Sequence, residues 1–237
     1  MSALMRQPAA LNDKGTFGFF DDLQWYISPH LWTTTGDTNT TVTITANAVG
    51  GVAALNTATA TDNDQVMMVT TNATYKFAAN CDIEFVARCA QSEANTDDAN
   101  WAVGLSSDLT TDFLLDNGAG PDTNHSGVVI FKVDGGDKLK CHTSVGATQY
   151  TTESVTTANT GTTYNEYKVK ATAQGDGNVR TTFFVNDQPL RDSNGRAISH
   201  TVTHTDALSM KAGAIVKAGG SNSEVLSVDY IGAFQRR

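Results

Sequence analysis

Two carboxylates two residues apart, Asp82 and Glu84, come nearest in this chain to a catalytic pair. Glycoside hydrolysis needs two such groups roughly 5–9 Å apart across a cleft, one as acid and one as base or nucleophile. On an extended strand the pair would share one face at about 7 Å. Arg88 lies on that face too, so a surface salt-bridge row is the plainer account of all three. His200 and His204 stand four residues apart, a spacing that on a helix gives two metal ligands on one side. The intervening Thr201-Val202-Thr203 reads as strand, which separates the histidines by about 13 Å, too far for one ion. His30, His125 and His142 have no acidic or cysteine neighbour at ligand spacing. The oxygen-rich runs Asp62-Asn63-Asp64 and Asp116-Asn117 with Asp122 offer the hard ligands of Ca2+, but the same residues favour turns for local reasons. No serine or cysteine sits in a Gly-x-Ser-x-Gly elbow, and Gly175-Asp176-Gly177 precedes a strand, so it is a turn and not a phosphate cradle. No catalytic residue and no metal ligand set is expected; Ca2+ is the one possible cofactor.

The elements that would position any site are short strands. From Cys81 to Cys89, Ile83, Phe85, Ala87 and Cys89 fall on one side, and Asp82, Glu84 and Arg88 on the other. Period-two alternation of this kind marks a half-buried strand. It recurs in 164–173, where Tyr167, Val169 and Ala171 point inward and Glu166, Lys168 and Lys170 outward. Further strands are expected at 41–46, 51–55, 65–70, 75–79, 101–106, 112–115, 127–133, 138–144, 149–155, 179–185, 207–217 and 224–234. Turns with Asp134-Gly135-Gly136-Asp137 and Asn186-Asp187 suit tight hairpins. No helical stripe persists for three turns. The fold class is therefore all-β, a two-sheet antiparallel sandwich. Residues 1–16 read as an N-terminal arm and 17–237 as a single domain.

Composition narrows the partners. A formal charge of −9 disfavours nucleic acid, which calls for a basic stripe. No apolar run is long enough for a membrane helix, and residues 1–12 lack the apolar core of a secretory signal. The 34 threonines suit strands and keep an exposed face wet without charge. Three cysteines make no disulfide framework; Cys81 and Cys89 are too distant on one strand to bond, and free buried thiols are expected. Phe17, Phe19, Phe20, Trp25, Tyr26 and Trp32 crowd into sixteen residues, either as the plug of one end of the sandwich or as a partner contact.

Five stretches in order resemble the concanavalin A-like lectin/glucanase jelly roll, in the versions common among tailed-phage virion proteins. They are Phe19-Phe20-Asp21-Asp22 with Trp32; 82–88 followed by 101–105; 127–133 with its Asp-Gly-Gly turn; the hairpin of 167–170 with 183–187 and a cap strand at 188–191; and 226–231. The resemblance implies a phage virion structural protein, foremost a capsid decoration (cement) protein. It would bind the assembled shell and stabilise it by mass action. It also implies a homotrimer, with the major capsid protein and its own copies as partners, made in the host cytoplasm and residing on the capsid surface. Candidate partner contacts are Met5, Arg6, Phe17, Trp25, Tyr26 and Trp32. The alternative is a carbohydrate-binding or host-receptor-binding module, with Trp25, Tyr26, Trp32, Trp101 and Tyr150 as stacking aromatics. Glucanases of this fold carry a Glu-x-Asp-x-(x)-Glu strand. None is present here, so no enzyme activity is expected.

Overall fold

A computed structural model describes residues 15–24, 30–45, 50–57, 62–93, 98–110, 112–158 and 160–236. In chain order the strands are β1 (Thr16–Asp21), β2 (Trp32–Gly36), β3 (Thr41–Ile44), β4 (Ala53–Asn56), β5 (Gln65–Thr70) and β6 (Ile83–Ser92). Then come β7 (Ala99–Ser106), β8 (Leu114–Leu115), β9 (Gly120–Pro121), β10 (His125–Lys132), β11 (Lys138–Gly146) and β12 (Thr148–Thr157). The last are β13 (Asn165–Ala173), β14 (Asn178–Val185), β15 (Gln188–Pro189), β16 (Ser199–Thr203), β17 (Lys211–Ala218) and β18 (Val225–Arg236). One sheet has nine strands in the order β15-β14-β13-β6-β18-β4-β3, with β1 also on β18 and β16 on β14. The other has seven in the order β12-β11-β10-β7-β17-β5-β2, and β8–β9 is a separate two-stranded piece. Among the described residues there is no helix, and the strands pair antiparallel throughout.

The expected alternation places the core. Ile83, Phe85, Ala87 and Cys89 of β6 and Tyr167, Val169 and Ala171 of β13 point between the sheets. They meet Trp101, Val103 and Leu105 of β7, Val128 and Ile130 of β10, and Ala214 and Val216 of β17. Charged side chains of the opposite parity on β6 and β13 reach water, where Lys170 faces its register partner Glu84 at 3.2 Å. The turn after β10 uses Gly135 at φ 73°, and Asn186 and Asp187 both take positive φ between β14 and β15. These are the conformations that tight hairpins require.

Some expectations shift. The segment 75–79 is no strand: Tyr75 and Ala78 make only isolated bridges, to Met210 and Cys81. Its alternation reflects burial of Tyr75 and Phe77 in the core without a ladder partner. The last-but-one strand begins at Lys211 instead of Ala207, and β16 precedes it. The aromatic-rich opening forms β1 and β2 on different sheets, so Phe17 stacks on Tyr75 (5.8 Å) and Phe19 meets Trp32 edge-on (5.5 Å). All three cysteines are free, with Cys89 and Cys141 buried in the core.

Candidate functional site

The four central strands of the seven-stranded sheet, β5, β7, β10 and β17, are buried along almost their whole length, on both faces. Register explains what lies on the face turned away from the core. One row runs Glu153, Lys140, Phe131, Ala102, Ile215, Met67 across β12, β11, β10, β7, β17 and β5. The next runs Thr151, His142, Val129, Gly104, Gly213, Val69. Each row is apolar in the middle and polar at the β11–β12 end.

The apolar middle is covered by the segment between β7 and β10, which carries β8 and β9. Its Leu109, Phe113 and Leu114 form a second core with Met67, Val69, Ala102, Val129, Phe131 and Ile215. Phe113 is fully buried. Lys217, at the end of β17, pins the cover from below: its Nζ donates to the Leu114 carbonyl at 2.9 Å and pairs with the Asp116 carboxylate. The Asp122 amide closes the loop on the Phe113 carbonyl at 2.7 Å. These contacts join the cover to the sheet.

Where the cover ends, a groove of about 200 Å³ remains. Leu115, Gly118, Ala119, Pro121 and Thr123 of the cover form one wall; Lys140, His142, Gln149 and Thr151 form the other, with Phe131 and Val133 between. His142 is buried and its Nδ1 lies 2.8 Å from the Thr151 hydroxyl, while its Nε2 has no hydrogen-bond partner. The side-chain nitrogen of Gln149 is also buried and unpartnered. Both atoms are closed to solvent and belong to the packed wall of the groove; Trp101 Nε1 and Gln65 Oε1 are closed off in the same way elsewhere in the molecule. The His125 ring stacks on His142 with centroids 5.1 Å apart. Gly127 makes room for that ring, since a Cβ there would sit 2.8 Å from His125 Cδ2. Burial, reinforced by the neighbouring His125 and His200, lowers the His142 pKa to about 3, so the groove presents a neutral imidazole. Lys140 faces Glu153 at 3.7 Å, which offsets its charge. Glu153 is the one acid in the two rows, so these rows supply no carboxylate pair.

The other sequence candidates scatter. Glu84 is on β6 of the opposite sheet and pairs with Lys170, and Asp82, just before that strand, accepts the Ala173 amide on Oδ1 at 3.0 Å. Arg88 corrects the expected row, for it pairs with Asp229 of β18 and lies over the Tyr164 ring. His200 sits inside the sandwich between Thr143 (3.1 Å) and Thr152 (3.0 Å), its pKa lowered by burial to about 4. Asp116 serves Lys217, and among the described residues no three His, Cys, Asp or Glu side chains converge on an ion site. Of the candidate partner contacts, Trp32 is fully buried and donates its Nε1 to Asp21 Oδ2 at 2.6 Å. Phe17 is half-buried against Tyr75. The Trp32 ring is therefore core packing, while Phe17 packs against the core and keeps part of its surface exposed. Met5, Arg6, Trp25 and Tyr26 lie outside the described residues. Trp101 is buried, whereas Tyr150 is 46% exposed. The groove went unread in the sequence because its residues come together only through register. Its one local signal was the apolar Leu109, Phe113 and Leu114 beside the short strand read at 112–115.

No family model and no curated sequence matches the chain. Solved structures do. An endo-1,3-β-glucanase from Streptomyces sioyaensis superposes with a TM-score of 0.61 at 13% identity, over 94% of this chain and 98% of that one. The fold is the concanavalin A-like lectin/glucanase jelly roll. Peanut lectin shares this jelly roll with a TM-score of 0.54 at 9% identity, over 93% of this chain and 97% of the lectin. An endo-β-1,4-glucuronan lyase from the fungus Trichoderma reesei does so with a TM-score of 0.58 at 10% identity, over 91% and 94%. Identities this low fix the jelly roll and nothing finer. Nothing in these likenesses ties the chain to phages.

Proposed function

We propose that this chain is a carbohydrate-recognition module that binds a saccharide in the groove beside the cover and does not cleave it. The observation that carries the reading is the groove itself, about 200 Å³, with Lys140, Gln149 and Thr151 on one wall and apolar Phe131 and Pro121 beside them. Saccharide hydroxyls both donate and accept and sugar rings carry apolar C–H faces, so they suit a lining of this mixed kind. The absence of a second acid from the Glu153–Met67 and Thr151–Val69 rows argues against hydrolysis by a carboxylate pair. A glycan array probed with the intact chain tests the reading. Retention of at least one saccharide is expected, and a blank array overturns it.

A second reading, a decoration subunit that coats a phage shell as a homotrimer, draws on the β12 edge. That strand is ten residues long, with Tyr150 46% and Val155 54% exposed. Long exposed edges of this kind favour docking against another chain. Sedimentation of the purified protein separates the readings: a trimer supports the decoration role, a monomer opposes it.

A further inference from the structure

We infer that the cover is an acid-sensitive flap, sealed by the stacked neutral imidazoles of His125 and His142 and released when they take up protons. Both side chains stand on the sheet face turned away from the core, in line with Val129 and Phe131. Their rings stack at 5.1 Å, and the His125 ring lies over Gly127. Phe113 of the cover closes on His125 edge-on at 5.3 Å, and Phe131 meets His142 edge-on at 6.3 Å. His125 is fully buried, and neither of its nitrogens has a hydrogen-bond partner of normal geometry. A charged imidazole donates from both nitrogens, so a charged His125 needs acceptors or water that this enclosure does not hold. Two charged rings stacked at that distance would also repel each other.

The surrounding charges do not hold the pair protonated. Burial lowers the His125 pKa, against the opposing pull of Asp108 and Asp122 at the two ends of the cover. Lys140, beside His142, is paired with Glu153 of β12, and Lys211 of β17 lies on the same face two strands from Gly127. β7 carries no charged residue, and His200 inside the sandwich adds to the lowering at His142. Beneath the rings, β10 and β11 are each paired on both sides, so the cover is the element that can move aside to wet them. Between pH 7.5 and 5.5, His142 alone shifts the opening equilibrium about tenfold, from its pKa of about 3 under the cover to about 6.5 once wet. His125 adds in the same direction. The cover supplies one wall of the groove, so its release dismantles the groove and bares Met67, Val69, Ala102 and Ile215.

The test follows amide hydrogen exchange of the intact chain in 1H–15N spectra at pH 7.5 and pH 5.5, corrected for the intrinsic exchange rate at each pH. The cover amides of Phe113, Ala119 and Asp122 are expected to lose protection about tenfold or more, and to exchange faster than amides of β6 and β18. His142→Gln should reduce that loss by about tenfold. His200→Gln, whose ring lies between the sheets, should leave it unchanged. Cover protection that stays level between the two pH values, or that falls only in step with β6 and β18, would overturn the inference. So would a pH dependence that vanishes in His200→Gln. Should His142→Gln not fold, the comparison of cover with sheet in the unaltered chain decides the matter. No saccharide enters the experiment, so its outcome is independent of the carbohydrate reading.

Discussion

Replacing Phe113 by alanine measures whether the cover belongs to the core. Its ring is fully buried, lies edge-on to His125 at 5.3 Å, and belongs to the cluster that includes Leu109, Leu114, Val129, Phe131 and Ile215. Truncating a buried phenylalanine costs about 3–5 kcal/mol when the surroundings cannot collapse into the space. Collapse is restricted here, because the Asp122 amide and Lys217 hold the cover backbone at the Phe113 and Leu114 carbonyls. The upper half of that range is therefore expected, a large part of the roughly 5–15 kcal/mol that domains possess. Equilibrium urea unfolding, read by tryptophan fluorescence and far-ultraviolet circular dichroism, supplies the number. The two probes should shift together with an unchanged slope. A loss below about 1 kcal/mol would mean that the cover is detached in solution, and the account of the groove would fail with it.

Acid should destabilise the fold through its buried histidines. His142 and His200 have folded pKa values of about 3 and about 4, below the usual 6.5, chiefly from burial. As pH falls below about 6.5 the unfolded chain takes up protons that the folded one refuses, at about 1.4 kcal/mol per pH unit for each group. From these two groups alone, going from pH 7 to pH 5 should cost about 4 kcal/mol. Burial lowers the His125 pKa too and adds in the same direction. His142→Gln should make the slope shallower without abolishing it, and urea midpoints that stay level toward pH 5 would contradict this. Asp21→Ala strands the buried Trp32 indole N–H and should cost about 1–3 kcal/mol in the same assay, whereas an unchanged midpoint would show that the bond is idle. Glu84→Gln, which touches a half-exposed pair with Lys170, should move stability by under about 0.5 kcal/mol and leave saccharide retention unchanged. Loss of retention in that variant would relocate the site to the other sheet.

The fold was legible because alternation is local: Ile83-Glu84-Phe85 and Tyr167-Lys168-Val169 each declare their own faces. Hairpins were legible for the same reason, through Gly135 and Asn186-Asp187. Tyr75–Ala79 misled because two inward rings imitate a strand whether or not a neighbour supplies hydrogen bonds. Trp32 was ambiguous because a crowded aromatic stretch can plug a core or meet a partner, and only the positions of β1 and β2 on opposite sheets decide. The groove was not legible. His142, Gln149, Phe131 and Pro121 come from four strands, and nothing in their spacing announces that a cover stops between them.

The most direct measurement is the set of intermolecular nuclear Overhauser contacts between a bound sugar, found on the array, and the protein. Contacts to the Thr151 methyl group and the Phe131 ring are predicted. Contacts to Phe20 or Tyr230, on the nine-stranded sheet, would contradict the account.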